Sequence, residues 1–237
     1  MTPRPSPEPT RGWTDADALL VLAFGLLGVS GGIVAGILGS GPPKPQPITA
    51  AHAVAMLIMP AFAAALVFKR HIEQRTTPRT LLGTTDPLRD IARGLCIGLA
   101  VLPATIGLAW LTGSLIKWWT GLPPDVQPII ESLDLPGTSQ GAALAAGLIC
   151  IALTPAAEEI LYRGILLDAL RQHHGATVAT ILSSICFGLL HLHAPVVPAL
   201  IFFGALLAII RIRTGSLLAC IAAHAMFNAA NLMLALL

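Results

Sequence analysis

The sequence is short of charge. Only 11% of its 237 residues are Asp, Glu, Lys or Arg, while 55% are hydrophobic. A soluble domain carries about 25% charged residues. This chain therefore lacks the polar groups to cover a water-facing surface, which argues against a soluble globular protein. The net charge of +2 is small and no basic stripe is interleaved with aromatics, so nucleic acid is not expected as a partner. Cysteine is scarce as well. Cys96, Cys150, Cys186 and Cys220 all lie inside apolar runs and none forms a C-x-x-C pair, so buried free thiols are expected rather than a disulfide framework or a redox motif. There is no H-E-x-x-H, no internal repeat and no soluble domain large enough to fold alone.

What is abundant is apolar sequence in lengths that cross a bilayer, for which a helix needs about 20 residues. Residues 1–17 form a polar, Pro-rich tail expected to be disordered. Residues 18–38 exceed the roughly 7–15 apolar residues of a cleaved signal peptide and read as an uncleaved first span. Further spans are predicted over 48–68, 94–116, 141–170, 176–192, 196–210 and 216–237, the sixth short enough to be tilted or partly re-entrant. The expected fold is all-α, a polytopic transmembrane helix bundle of about seven spans, in a multi-pass protein of the cell membrane. N-terminal helices and loops occupy 18–140 and a second group of helices occupies 141–237.

Basic residues give the orientation, because cytoplasmic loops carry an excess of Lys and Arg. Lys69, Arg70, Arg75, Arg79, Arg89 and Arg93 crowd residues 69–93, which are placed inside. Alternation then puts Arg171, Arg211 and Arg213 on the same side. The acidic loop 120–140, with Asp125, Glu131 and Asp134, falls opposite, next to the interfacial Trp118 and Trp119.

The fourth span carries charges that lipid does not favour. Glu158 and Glu159 lie far from any predicted loop, where a charged side chain costs about 2.5–3.5 kcal/mol on insertion scales. Glu159 and Arg163 share a helix face and can pair. Glu158 is turned about 100° away and needs another polar partner. His191, at the end of the fifth span, and His224 with Asn228, on one face of the seventh, are the candidates. At about 1.5 Å per residue from the inner loops, Glu158 and His191 lie about 24 Å up, His224 about 14 Å and Asn228 about 20 Å. His52, alone in the second span, reads as a packing residue. His193 reads as interfacial, and His173 and His174 as solvated loop residues.

A carboxylate, two imidazoles and an amide at similar depth point to hydrolysis. A desolvated carboxylate is a better proton acceptor, so Glu158 can take a proton from water and direct it at an amide carbonyl. A histidine can orient that water or protonate the leaving amine, and Asn228 with a histidine can donate to the oxyanion. The same residues admit a second mechanism, in which Glu158, His191 and His224 bind zinc and leave a position for water. Only Glu159 is then near enough to serve as base, and the mechanism without a metal cofactor is preferred. Two other classes remain. One is a non-catalytic membrane protein of bacteriocin-immunity or scaffolding type. The other is a transporter relaying protons through Glu158, which the missing repeat disfavours.

Three motifs stand in order on three helices: E-E-x-x-x-R as Glu158 to Arg163, F-x-x-x-H as Phe187 to His191, and H-x-x-x-N as His224 to Asn228. Together they resemble the signature of the CPBP family of membrane endopeptidases, which includes the type II CAAX prenyl proteases. The resemblance covers residues 141 to about 231. It implies a catalytic core in the C-terminal helices, with a cavity open to the cytosolic side or to the membrane. It implies that Glu158 activates water and that His191, His224 and Asn228 bind the nucleophile or stabilise the oxyanion. Glu159 and Arg163, with Phe187, are then supporting structure. The implied substrate is a membrane-embedded or lipidated peptide or protein. Eukaryotic members remove the last three residues of prenylated CAAX proteins, and some prokaryotic members are linked with bacteriocin self-immunity.

Overall fold

The computed structural model describes residues 13–38, 47–74, 81–122, 132 and 135–236, and among these it contains no strand. The helices are α1 Asp15–Leu38, α2 Ala50–Ala55, α3 Ile58–Gln74, α4 Pro87–Ala100, α5 Leu102–Thr120, α6 Gln140–Leu148, α7 Thr154–Glu159, α8 Leu167–Leu189, α9 Val197–Thr214 and α10 Leu217–Ala235. Wide π-helical segments, Ile149–Leu153 and Ile160–Leu166, flank α7, and a 3-10 turn, Ala194–Val196, leads into α9.

Five stretches among the described residues are long and apolar enough to cross a membrane: Ala50–Glu73, Pro87–Thr120, Gln140–Leu189, Ala194–Thr214 and Leu217–Ala235. This is fewer than the spans expected, for two reasons. The predicted fourth and fifth spans form one 50-residue stretch, Gln140–Leu189. It turns at Gly175, whose φ of 73° and ψ of 172° suit only a residue without a Cβ. The other reason is α1, which is 24 residues long and is not one of the five. The predicted sixth span is longer than expected, 21 residues over Ala194–Thr214. Pro195 and Pro198 do not break it. They occupy first-turn positions, where a missing N–H leaves no hydrogen bond unmade.

The basic segment 69–93 is also less of a loop than expected. α3 runs on to Gln74, and α4 begins at Pro87, capped by Asp86, whose side chain accepts from the Arg89 N–H at 3.2 Å. Arg75 and Arg79 lie outside the described residues, as do Asp125, Glu131 and Asp134 and residues 39–46, between the first two predicted spans. Of the tail expected to be disordered, residues 1–12 lie outside the described set, but 13–17 are ordered. Asp17 is buried, accepts from the Thr14 hydroxyl at 2.7 Å and pairs with Lys69 at 3.0 Å. Trp13 lies under the Arg70 guanidinium at 4.5 Å.

The bundle turns apolar side chains outward, Leu99, Trp110, Leu144 and Leu182 among them. Lipid tails are as apolar as leucine, so helices associate in a membrane by close backbone approach and polar contacts. α4 meets α10 in this way. A Cβ added at Gly94 would meet the Ala219 carbonyl and come within 2.7 Å of the Ala222 Cβ. One added at Gly98 would meet the Ala223 carbonyl and come within 3.0 Å of the Met226 Cβ. Gly98→Leu is therefore expected to destabilise the protein by about 1–3 kcal/mol, the usual result of overpacking. Thermal unfolding in detergent checks this, and an unchanged Tm would show that the helices can separate freely. The four cysteines are free; Cys220 is buried as expected, whereas Cys96 is exposed on the outer face. His52 does not pack within a span. It is exposed and turns back to Thr49, with its Nδ1 2.9 Å from the hydroxyl.

Candidate active site

The site is built around a helix that departs from α geometry. Thr154 donates its N–H to the Ile149 carbonyl, a wide π-type bond. The next bond in that register would run from residue 155 to the Cys150 carbonyl, and residue 155 is proline, which has no N–H. The Cys150 carbonyl is left without a partner in its own helix. Asn228, reaching across from α10, donates to it from Nδ2 at 2.9 Å. Beyond α7 the helix widens again over Ile160–Leu166.

Between these wide segments lie the two carboxylates. Glu159 and Arg163 are fully buried and paired, Arg163 Nη1 donating to Glu159 Oε1 at 2.9 Å. Arg163 Nη2 donates to the Gly204 carbonyl at 3.1 Å, and its guanidinium lies 4.3 Å above the Phe187 ring. Glu159 Oε1 also lies 2.9 Å from Nδ1 of His224. Glu159 Oε2 and Arg163 Nε are buried with no hydrogen-bond partner. Glu159 thus does more than neutralise Arg163, since it holds the His224 ring by one edge.

The other edge of that ring faces Glu158. His224 Nε2 and Glu158 Oε2 are 3.6 Å apart, and both residues are largely buried, at 3% and 8% exposure. Glu158 does turn away from Arg163, as the rotation between neighbouring helix positions requires. Phe203 packs edge-on against the His224 ring at 5.4 Å, and Phe187 does the same at 5.6 Å.

His191 stands just past the end of α8. Its Nδ1 is 2.7 Å from the Phe187 carbonyl, which can only accept, so Nδ1 carries the hydrogen and the neutral ring presents Nε2 as an acceptor. The Phe187 ring lies 4.9 Å from the His191 ring. The residue expected to support the site therefore touches His191, His224 and Arg163 at once.

Glu158, His191, His224 and Asn228 all line one cavity of about 970 Å³ between α5, α6, α10 and the turn before α9. A second cavity, of about 220 Å³, is bounded by Val21 and Phe24 of α1, Met59 of α3, and Leu161, Tyr162 and Leu190. Glu158 and His191 line both. Among the described residues no three His, Cys, Asp or Glu side chains form a group fit to hold a metal ion, and the set Glu158, His191 and His224 is no exception.

The Pro155, Cys150 and Asn228 arrangement was not foreseen, although Pro155 inside an apolar span was its visible sign. Phe203 and the Gly204 carbonyl were not foreseen either, because an aromatic and a glycine in an apolar helix look like packing. The first of these makes a testable claim. Asn228→Ala removes the donor from the part-buried Cys150 carbonyl, at an expected cost of about 1 kcal/mol. Pro155→Ala returns an N–H to the helix, so the same Asn228 change should cost less in that background. A double-mutant cycle of unfolding free energies measures the difference. Equal costs in both backgrounds would disprove the link.

Residues 140–230, from the first turn of α6 into α10, match the family model described as type II CAAX prenyl endopeptidase Rce1-like. All of the motif residues fall inside the matched segment. No curated protein and no solved structure matches the chain.

Proposed function

We infer that this integral membrane protein, which belongs to the CPBP family through its Rce1-like endopeptidase segment at 140–230, is an intramembrane endopeptidase that uses Glu158 as general base. The observation that carries this reading is the position of Glu158. Its carboxylate is buried in apolar helices, 3.6 Å from the His224 ring, and lines a cavity together with His191.

The chemistry follows from what each group can donate or accept. A water held between Glu158 and His191 Nε2 finds two acceptors, one for each of its hydrogens, which leaves an oxygen lone pair free to attack. Glu158 takes one proton as the oxygen bonds to the carbonyl carbon of a peptide. The carbonyl oxygen becomes an oxyanion. Asn228 gives one N–H to the Cys150 carbonyl and keeps a second for this charge, in surroundings of low dielectric where such a bond counts for more. As the C–N bond breaks, the nitrogen takes the proton from Glu158, directly or through His224 Nε2. The Arg163 and Glu159 pair holds His224 in the orientation this requires. This reading needs no metal, and no step is routed through one.

The substrates are membrane-embedded or lipidated peptides and proteins, and the protein resides in the cell membrane with the bilayer as its solvent. The test is the Glu158→Gln variant, purified in detergent and assayed on membrane-anchored peptides.

A further inference from the structure

The two ends of the bundle differ in charge and in shape. One end gathers the starts of α1, α4 and α10, the ends of α3 and α9, and the turn at Gly175. Lys69 pairs with Asp17 across it at 3.0 Å, Gln172 donates to the Trp13 carbonyl at 3.0 Å, and Arg211 pairs with Asp168 at 3.2 Å. Gly83, before α4, packs directly on Gly215, before α10. This end holds Lys69, Arg70, Arg89, Arg93, Arg171, Arg211 and Arg213. At the opposite end, where α5 and α10 finish and α6 begins, Lys117 is the one Lys or Arg among the described residues.

The large cavity belongs wholly to that second end. On α5 it is lined from Thr105 to Lys117, on α10 from His224 to Ala235, and on the limb beginning with α6 from Ala146 to Glu158. The α8 and α9 hairpin contributes only its tip, from His191 to Leu200. Beyond that tip the cavity is walled by α5, α10 and the limb beginning with α6. Along α5 this space runs about 18 Å toward the Trp118 and Trp119 pair, at about 1.5 Å per residue. No residue of the basic end lines it.

Lys and Arg in short loops mark the cytoplasmic side. We propose that the catalytic cavity opens on the non-cytoplasmic half of the membrane, so that its substrates are polypeptides anchored in or exported across the membrane, with the scissile bond presented from outside. This rests on the endopeptidase reading for what is cut. Of the two openings that the family resemblance implies, to the cytosolic side or to the membrane, it departs from the first.

The test is labelling of single cysteines in the full-length chain in intact cells. The background has Cys96, Cys150, Cys186 and Cys220 replaced by alanine. Lys117→Cys reports the cavity mouth, and Arg213→Cys, also exposed, reports the basic end. Cells are treated with a membrane-impermeant sulfonated maleimide, then permeabilised and treated with a maleimide carrying a large polyethylene glycol. The pretreatment is expected to abolish the later gel shift for Lys117→Cys and to leave it intact for Arg213→Cys. A retained shift at Lys117→Cys, or a lost one at Arg213→Cys, overturns the proposal. No cleavage assay enters the readout, so the orientation fails or stands separately from the catalytic role of Glu158.

Discussion

Glu158→Gln is expected to lower turnover by about 10²–10⁴-fold, the usual contribution of a positioned general base, with no loss of folded protein. The substitution keeps the size of the side chain and leaves a polar group facing the His224 ring. It removes only the capacity to take a proton. Glu158 is 8% exposed, among helices whose other faces meet lipid, so exchanging its carboxylate for a neutral amide also relieves a desolvation cost. Thermal unfolding should therefore show a Tm equal to or above that of the unaltered protein. Turnover on membrane-anchored peptides, measured beside Tm, separates the two effects. A variant that cuts at the normal rate would remove Glu158 from the mechanism. One that is inactive only because it is unfolded would show it in the melt.

The second large effect concerns the buried pair beneath the site. Arg163→Met leaves Glu159 charged and deprived of its cation, and breaking a buried pair in this way costs about 3–5 kcal/mol. Glu159→Leu strands Arg163 with a similar penalty. Exchanging both for apolar residues is expected to restore most of the stability, because the two desolvated charges leave together. Activity should not return. His224 Nδ1 has lost the carboxylate that held it at 2.9 Å, and its Nε2 no longer keeps a fixed direction toward Glu158. Kinetics on the double variant should show a fall in kcat with KM little changed. If the double variant turns over normally, Glu159 is a counter-ion for Arg163 and does not position His224.

Much of this site could be read from residues because lipid makes polar groups conspicuous. An isolated Glu in an apolar helix is expensive, so Glu158 announced that a partner existed, and few side chains in the other spans could be that partner. His224, His191 and Asn228 were found in this way, and the pairing of Glu159 with Arg163 followed from their spacing. The role of Glu159 toward His224 was hidden, since spacing along one helix says nothing about a ring on another. The π-helical segments were hidden for a different reason. They differ from α-helix by one step in hydrogen-bond register, and many sequences can take either. Pro155 forbade one bond, but only the folded bundle brings Asn228 across to donate to the Cys150 carbonyl. The sixth span begins at Ala194, two residues before the predicted 196, because Pro195 sits where a helix starts, and Asp17, whose charge suggested a solvated tail, is satisfied by Thr14 and Lys69.

The glycine contact between α4 and α10 sets how accurately the imidazole is held. Gly98 lies against the Ala223 carbonyl, one position before His224. Side chains at an ordinary interface can change rotamer and let a helix drift, whereas backbone against backbone has no rotamer to change. A shift of about 1 Å in a reacting group can lower a rate 10²-fold. The ring therefore rides on a stretch of helix whose main chain bears directly on α4, and lateral pressure from the surrounding lipid is borne by that main chain before it reaches His224.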